Sequence, residues 1–303
     1  MNIGIIVNPK SGRNKASQFA KECERLLKAQ GHISHTVNTN QLGTDDQFWR
    51  NREEWRPDRL IIIGGDGTVH HTLPKLIEHQ IPFYHLATGT SNLIATELKM
   101  PKDPASAVHW IEQGGLATFD VPTLDNVPFI IMCSFGMDAG VIHRFEQLRT
   151  NSGGFRNYIK PVIYEAFNPR PAHLSINADG INLNIKSPIN LVVANMRSYA
   201  LGINPCPMAN PTDIKLDLLG APCTTTISWT LQTILNKFRI QIPNAQRLRF
   251  TTLTITGTSK PTVVQLDGEV ASSPNVPNGI LQPQQSITIR VGQHIVPIIT
   301  PPS

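Results

Sequence analysis

The sequence predicts an α/β domain with an open, mainly parallel sheet, followed by a β-rich domain. Up to about residue 118, short apolar runs typical of buried strands alternate with longer segments in which apolar residues have helical spacing. Several of the apolar runs end abruptly in polar turns. Beyond residue 118 the pattern changes to short strands joined by turn residues. We therefore predict two domains, residues 1–118 and residues 119–293.

The first domain is predicted to alternate strands and helices along the chain. In its first helix, Phe19, Cys23 and Leu27 share one helical face, and Gly31 is placed to end the helix. The strand before the central glycine turn has the β-branched composition of a buried strand. The predicted strands are Ile3–Val7, Ile33–Val37, Arg59–Ile63 and Pro82–Ala87. The predicted helices are Asn14–Gln30, Thr44–Trp55, Val69–His79, Leu93–Leu98 and Asp103–Gln113.

The second domain is predicted to be mainly antiparallel sheet. Asp179-Gly180 has the composition of a two-residue hairpin turn, so it should join strands at Ala172–Asn177 and Ile181–Lys186. Further strands are predicted at Thr118–Thr123, Phe129–Phe135, Ile189–Asn195, Lys215–Leu219, Leu248–Thr256, Thr262–Leu266 and Ser286–Val291. Helices are predicted at Ala139–Leu148, Asn157–Phe167 and Thr226–Phe238. The proline-broken segment His294–Ser303 is expected to lie back on the first domain.

The segment Gly64–Thr68 separates a buried strand from a helix. Its three glycines within four positions let the backbone approach a ligand without a Cβ in the way. The amides of the turn and of the following helix would point toward an anion, and Thr68 is placed to cap that helix. A carboxylate at Asp66, among phosphates, favours a Mg²⁺ ion between them. The alternative is a tight turn in which Asp66 hydrogen-bonds its own loop.

Polar turns follow three strands of the predicted parallel sheet. They are Asn8–Gly12, Gly64–Thr68 and Thr88–Asn92. Because ligands of open parallel sheets bind at the carboxyl ends of the strands, we expect the three turns to face one crevice. This convergence favours a ligand site over a simple turn.

Composition excludes several classes of protein. The chain has 303 residues, of which 40% are hydrophobic and 16% charged, and this is an ordinary globular composition. No apolar run reaches the roughly 18 residues needed to span a bilayer, and no secretory signal is evident, so a cytoplasmic protein is expected. The four cysteines form no CxxC pair, which argues against a zinc site. The net charge is +5, but the basic clusters lack interleaved aromatic residues, so no nucleic-acid partner is expected.

Five motifs together resemble the diacylglycerol kinase and sphingosine kinase superfamily of lipid kinases. They are Asn8-Pro9-Lys10-Ser11-Gly12, Gly64-Gly65-Asp66-Gly67-Thr68, Gly89-Thr90-Ser91-Asn92, Phe119-Asp120-Val121 and Leu266-Asp267-Gly268-Glu269. Their order and spacing match the family across nearly the whole chain, as does the segment Ser134–Ala139. The second motif alone also occurs in NAD kinases, but the first and last favour the lipid kinases.

The resemblance implies an N-terminal α/β nucleotide domain, a C-terminal β-rich sandwich domain and ATP in a cleft between them. It implies phosphoryl transfer from ATP, with Mg²⁺, to a hydroxyl of diacylglycerol or a related membrane lipid. By position in the family motifs, the implied nucleotide contacts are Asn8, Pro9, Lys10, Ser11, Gly12, Thr39, Gly64, Gly65, Asp66, Gly67, Thr68, Val69, His70, Gly89, Thr90 and Asn92.

Four carboxylates are the implied catalytic residues. Asp66 and Asp120 resemble members of the family's Asp–water–Mg²⁺ network, and Glu269 matches its general base, with Asp267 beside it. On a strand, Asp267 and Glu269 would share a face, where repulsion between like charges could raise one pKa toward that of a useful base. The alternative for Asp267-Gly268 is an ordinary β-turn.

The sequence departs from the family pattern at two places. Leu93 follows Asn92 where the family has an Asp, which removes one carboxylate of the metal network. The family's Asp-Asp-Gly, which holds a structural Mg²⁺ in the second domain, is Thr212-Asp213-Ile214 here. The implied ligands that remain are Asp213 and the carbonyl of Lys215. We expect metal affinity to be weakened, since water can replace a missing ligand.

The Arg-rich segment Arg144–Arg170 contains apolar residues that fit either a core or a helix facing a membrane surface. For a lipid kinase the second reading implies peripheral association with the inner membrane face. Two alternatives to lipid kinase activity remain. One is an NAD kinase-like phosphotransferase acting on a soluble substrate. The other is a nucleotide- and lipid-binding protein with weakened catalysis, for which Leu93 and Thr212 are the supporting residues.

Overall fold

The computed structural model of the protein describes residues 1–41, 48–49, 55–148, 156–185, 188–199, 204–220 and 246–302. The chain divides into two compact units. The first is Met1–Phe119 together with Ile295–Ser303, and the second is Asp120–His294. None of the helices in the described ranges is both long and apolar enough to cross a membrane.

The first unit is built on a parallel sheet. Its strands are β1 (Asn2–Val7), β2 (Ile33–Asn38), β3 (Arg59–Gly64) and β4 (Phe83–Ala87), in the order β2, β1, β3, β4. The helices are α1 (Lys15–Ala29), α2 (Asp66–His79), α3 (Leu93–Glu97) and α4 (Pro104–Gln113). Strands β1, β3 and β4 are almost wholly buried, which is the expected state of parallel strands covered by helices on both faces.

The helices of this unit follow the periodicity of the sequence. Helix α1 buries Ala16, Ala20, Cys23 and Leu27, a spacing that lines one face. Helix α4 begins with a cap, because the Asp103 carboxylate accepts a hydrogen bond from the Ser106 amide at 2.8 Å. The predicted helix Thr44–Trp55 lies outside the described residues except at its residues 48, 49 and 55, of which 48 and 49 are helical.

The second unit consists mainly of antiparallel strands. They are β5 (Gly115–Leu124, which begins in the first unit), β6 (Val127–Pro128), β7 (Met132–Gly136), β8 (Leu174–Ala178), β9 (Ile181–Leu183), β10 (Asn190–Ala194), β11 (Leu216–Gly220), β12 (Gln246–Phe250), β13 (Thr252–Gly257), β14 (Thr262–Leu266), β15 (Glu269–Val270), β16 (Ile280–Leu281) and β17 (Ser286–Thr300, which ends in the first unit). One sheet has the order β12, β11, β10, β7, β14, β15, and β17, β13, β8 and β9 pair in the other.

The two sheets of this unit share one hydrophobic core. Phe135, Val193 and Leu218 of the first sheet belong to the same buried cluster as Ile176 and Ile255 of the second. Strand β13 alternates buried and partly exposed residues, as a strand with one face on such a core should. Helices α5 (Met137–Gln147) and α6 (Arg156–Phe167) pack against each other, and the predicted helix Thr226–Phe238 lies outside the described residues.

Several predicted strands have different bounds in the structure. The single strand predicted at Leu248–Thr256 is two strands, because Phe250 pairs with β11 whereas Thr252 pairs with β17 in the other sheet. The segment after His294 was predicted to be broken, yet β17 runs through Pro297 because Val296 and Ile298 are fully buried on either side. Ile298 pairs with Phe83 of β4.

Candidate functional site

The polar turns after β1, β3 and β4 meet in the first unit. The Asn8 amide donates to the carbonyl of Ile63, and the Thr88 amide donates to the carbonyl of Gly64 at 2.8 Å. Side chains join the same turns, since the Thr88 hydroxyl donates to Ser11 Oγ at 2.8 Å. The expected convergence of the three turns is thus present in the structure.

Glycine is required where two of these turns touch. A Cβ on Gly89 would lie 2.6 Å from Gly65 Cα and 2.9 Å from Asn92 Oδ1. Gly12 has a φ of +60°, and a Cβ there would lie 2.7 Å from the Thr88 carbonyl oxygen. The backbones of the turns therefore pack directly on each other, with no room for a Cβ at these two positions.

Helix α2 begins earlier than predicted. Gly65 is its N-cap residue and Asp66 its first residue, so Thr68 lies inside the first turn and does not cap the helix. Thr68 Oγ1 instead accepts a weak hydrogen bond from Asn8 Nδ2 at 3.4 Å. The side chain of Val69 is fully buried, so only its backbone is available to a ligand. The N-terminus of α2 follows the glycine turn, an arrangement that attracts anions through free amides and the helix dipole.

Asp66 is tied to helix α3. Its two carboxylate oxygens accept hydrogen bonds from the amides of Leu93 at 2.8 Å and Ile94 at 3.2 Å. The residue that departs from the family pattern thus contributes its backbone N–H to this carboxylate. Each carboxylate oxygen has a second lone pair, so these bonds do not exhaust the acceptor capacity of Asp66.

The remaining predicted nucleotide contacts surround these turns. The Thr39 amide, directly after β2, donates to the carbonyl of Val7 at 2.9 Å. Asn92 is buried with a φ of +50°, and its Nδ2 donates to the carbonyl of Gly89 at 2.7 Å. Lys10 and Thr90 are exposed, and His70 is half-buried.

His85 contacts the glycine turn, although the sequence pattern assigned it no role. It lies in β4, fully buried, and its Nε2 donates to the carbonyl of Gly64 at 3.2 Å. Burial lowers the pKa of His85, so the neutral ring is favoured. Within the described part of the chain, its Nδ1 atom has no hydrogen-bond partner. A histidine inside the apolar strand Phe83–Ala87 was the available signal.

Asp120 lies in the second unit, where it is also engaged by a loop. Its carboxylate accepts a hydrogen bond from the Ile214 amide at 2.8 Å, and its own amide donates to the carbonyl of Pro211 at 2.7 Å. Burial raises the pKa of Asp120, and the neighbouring charge of Asp213 acts in the same direction.

The predicted metal ligands, Asp213 and the carbonyl of Lys215, lie in one loop of the second unit. Asp213 forms an ion pair with Arg249 and accepts a hydrogen bond from the Lys215 amide at 3.1 Å. Over the ranges that the structure describes, no group of three or more His, Cys, Asp or Glu residues could hold a metal ion. Arg249 also lies 3.6 Å from Asp217, whose pKa burial raises to about 6.

Asp267 lies in a turn, as the alternative prediction had it, and not on a strand face shared with Glu269. Asp267 and Gly268 form the turn between β14 and β15, with φ values of +52° and +84°, while Glu269 is the first residue of β15. The Asp267 carboxylate accepts hydrogen bonds from the amides of residues 130, 131 and 132, at 2.7 to 3.0 Å. The strand predicted from Phe129 begins only at Met132 because these amides bond to Asp267.

A buried hydrogen-bond chain leads from helix α5 to this turn. The Gly268 amide donates to Gln265 Oε1 at 2.7 Å, and Gln265 Nε2 donates to Ser134 Oγ at 2.7 Å. The Ser134 hydroxyl donates to Asp138 at 2.5 Å, and the Tyr199 hydroxyl donates to the other oxygen of Asp138 at 2.6 Å. Burial raises the pKa of Asp138. These hydrogen bonds hold the backbone at Gly268, immediately before Glu269.

Comparisons with known proteins show the family to which this two-domain fold belongs. Residues 2–124 match the family described as the diacylglycerol kinase catalytic domain. Residues 131–288 match the family described as the YegS C-terminal NAD kinase beta sandwich-like domain. The chain therefore belongs to the diacylglycerol kinase and sphingosine kinase superfamily of lipid kinases.

Two sequence relatives and one solved structure are similar to the chain. The chain is 22% identical over 88% of its length to the uncharacterized protein sll0036 of Synechocystis, and 29% identical over 54% of its length to a diacylglycerol kinase of Mycobacterium tuberculosis. These alignments span 65% and 55% of the relatives' own lengths. The fold resembles a crystal structure of a diacylglycerol kinase from Bacillus anthracis, with a TM-score of 0.68 and 18% identity, covering 99% of this chain and 97% of that one.

Proposed function

We propose that the protein is a lipid kinase that transfers the γ-phosphoryl group of ATP to a hydroxyl of diacylglycerol or a related membrane lipid. The observation that carries this proposal is the meeting of the three turns after β1, β3 and β4 beside the N-terminus of helix α2. In this proposal residues 1–118 bind ATP and residues 119–293 bind the lipid.

The proposed nucleotide-binding residues belong to the three turns and to Thr39. The turns Asn8–Gly12 and Gly64–His70 would contact the nucleotide, and Gly89, Thr90 and Asn92 would complete the site. The Mg²⁺ that accompanies ATP would neutralise charge on the phosphates. Asp66 and Asp120 would hold waters of that ion, a role that their oxygen donors suit.

Glu269 is the proposed general base. It is half-buried at the start of β15 and so is not enclosed in the core. It would accept the proton of the lipid hydroxyl as the hydroxyl oxygen bonds to the γ-phosphorus and the bond to the β-γ bridging oxygen breaks. Asp267 would act as a positioning residue, because its carboxylate holds the amides of residues 130 to 132.

Helix α6 is the proposed membrane contact. Ile159, Val162, Ile163 and Phe167 have the spacing of one helical face and are 46%, 46%, 53% and 82% exposed. Such an exposed apolar face is typical of an interfacial helix, and the exposed Lys160 would favour an anionic surface. In vesicle sedimentation, Phe167→Ser should reduce binding to vesicles containing anionic lipid. An unchanged bound fraction would contradict this part of the proposal.

Transfer of labelled γ-phosphate to a panel of lipids in mixed micelles tests the kinase proposal. The protein should label a lipid that bears a free hydroxyl, and Glu269→Gln should abolish labelling. The control Glu146→Gln changes an exposed glutamate of α5 and should leave labelling unchanged. Full activity of Glu269→Gln would remove Glu269 as the base. Labelling of NAD without any lipid product would identify an NAD kinase-like enzyme and overturn the lipid assignment.

A further inference from the structure

We infer that the guanidinium group of Arg249 takes the place of the structural Mg²⁺ that the family resemblance implies for the second unit. This unit is therefore stable without a divalent cation. The inference goes beyond the proposed function and does not depend on it, because it concerns stability in the absence of nucleotide.

Arg249 is positioned by strand pairing. It lies in β12 directly opposite Asp217 of β11, and the antiparallel register fixes the two side chains as neighbours. From this position one guanidinium nitrogen contacts Asp213 Oδ2, and Nε lies 3.6 Å from Asp217 Oδ2. A single permanently charged group thus bridges two carboxylates from different segments of the chain.

The loop that would hold the metal in the family is organised here without one. Asp213 Oδ1 accepts the Lys215 amide, and the Asp120 carboxylate accepts the Ile214 amide. Backbone N–H groups and Arg249 therefore supply donors to these carboxylates. A metal ion at this loop would have to displace Arg249 from the carboxylate of Asp213, which is the acidic ligand that remains of the family's pattern.

The residue types also fit this replacement. Thr212 removes one acidic ligand from the family's Asp-Asp-Gly pattern, and Ile214 occupies the glycine position. Ile214 has a φ of +55°, so the loop keeps the left-handed conformation that the glycine would allow. Position 214 thus has a backbone conformation typical of glycine, while one acidic ligand of the family's pattern is missing.

Thermal unfolding of the nucleotide-free protein tests the inference. The wild type should have the same Tm in EDTA and in millimolar Mg²⁺ or Ca²⁺, because a ligand that binds only the native state would raise the Tm. Arg249→Gln should lower the Tm by roughly 2–4 °C, the shift that about 1 kcal/mol causes in a domain of this size. The matched control Arg290→Gln, at an exposed position of β17 in the same unit, should change the Tm by much less.

Restoring the family pattern supplies the reciprocal test. Thr212→Asp and Ile214→Gly together should make the Tm sensitive to millimolar Mg²⁺ only when Arg249→Gln is also present, because the guanidinium group then no longer occupies the carboxylates. Mg²⁺ sensitivity of the wild type would overturn the inference. Equal Mg²⁺ sensitivity of the Thr212→Asp, Ile214→Gly variant with and without Arg249→Gln would also overturn it. A third contradicting result would be that Arg249→Gln lowers the Tm as much in the Asp213→Asn background as in the wild type.

Discussion

Ile214 adopts a left-handed backbone conformation that β-branched residues disfavour. Its side chain is 53% exposed, so little packing is lost when it is removed. Ile214→Gly should therefore raise the free energy of unfolding by ~0.5–1 kcal/mol, which is the relief of strain less the added entropy of glycine in the unfolded chain. Urea denaturation measures this change.

Ile181 supplies the control for that prediction. It is 63% exposed but lies in strand β9, with no left-handed conformation to relieve. Ile181→Gly should lower the free energy of unfolding by about 0.5–1 kcal/mol, since glycine weakens a strand. If both variants changed stability in the same direction, strain at Ile214 would not be the cause.

Asp138 should make stability depend on pH. Burial raises the pKa of this carboxyl in the folded protein, so between its unfolded and folded pKa values the folded state binds more protons. Its contribution to the free energy of unfolding therefore decreases as pH rises through that interval. Asp138→Asn removes the titration, so the stability of the wild type relative to the variant should fall with increasing pH. Urea denaturation over a pH series measures the free energy of unfolding of both proteins. If the wild type became more stable relative to Asp138→Asn as pH rises, this prediction would be wrong.

Asp66 should be the most sensitive residue of the glycine turn. Asp66→Asn replaces one acceptor oxygen by an N–H₂ group that faces the amides of Leu93 and Ile94, and it also removes the charge. Thr68→Ala removes only a weak hydrogen bond with Asn8. Kinase activity should fall much further in Asp66→Asn than in Thr68→Ala. Equal losses in the two variants would count against the role of Asp66.

At the scale of elements, the glycine turns are held by backbone contact. A Cβ at Gly89 would approach the Gly65 Cα to 2.6 Å, so Gly89→Ala must push the turns apart. We expect a loss of about 1–3 kcal/mol in stability and a strong loss of ATP binding. At Gly115 a Cβ would meet no atom within 4 Å, so Gly115→Ala should be nearly neutral in both measurements. Normal ATP affinity in Gly89→Ala would contradict the proposed nucleotide site.

The helices and strands were predictable where the spacing of apolar residues along a short stretch of sequence is sufficient to define them. The helix at α1 and the strands β1 to β4 follow from apolar spacing and from the turn residues that come after them. The hairpin at Asp179-Gly180 joins β8 to β9 as predicted. The split between β12 and β13 was not predictable, because the choice between two sheets depends on pairing with residues far away in the sequence.

For the whole molecule, ATP binding and phosphoryl transfer should be separable. If the turns of the first unit bind ATP, MgATP should raise the Tm of the wild type and of Glu269→Gln equally. At an ATP concentration about 100 times its Kd, the stabilisation would be about 2.7 kcal/mol. Gly89→Ala should lack most of that shift. Loss of the ATP shift in Glu269→Gln would indicate that Glu269 acts in binding rather than as a base.

The sequence by itself determined the order of strands and helices, the change from parallel to antiparallel sheet, the glycine turns and the family. These depend on residues that are near one another in the chain. Only the tertiary structure decided the partners of the polar groups, such as the amides bound by Asp267, the carbonyl bound by His85 and the carboxylates bridged by Arg249. The physical reason is that a charged or hydrogen-bonding group pairs with a group that the fold brings close to it. Such partners lie far apart in the sequence, so the local spacing of residues does not predict them.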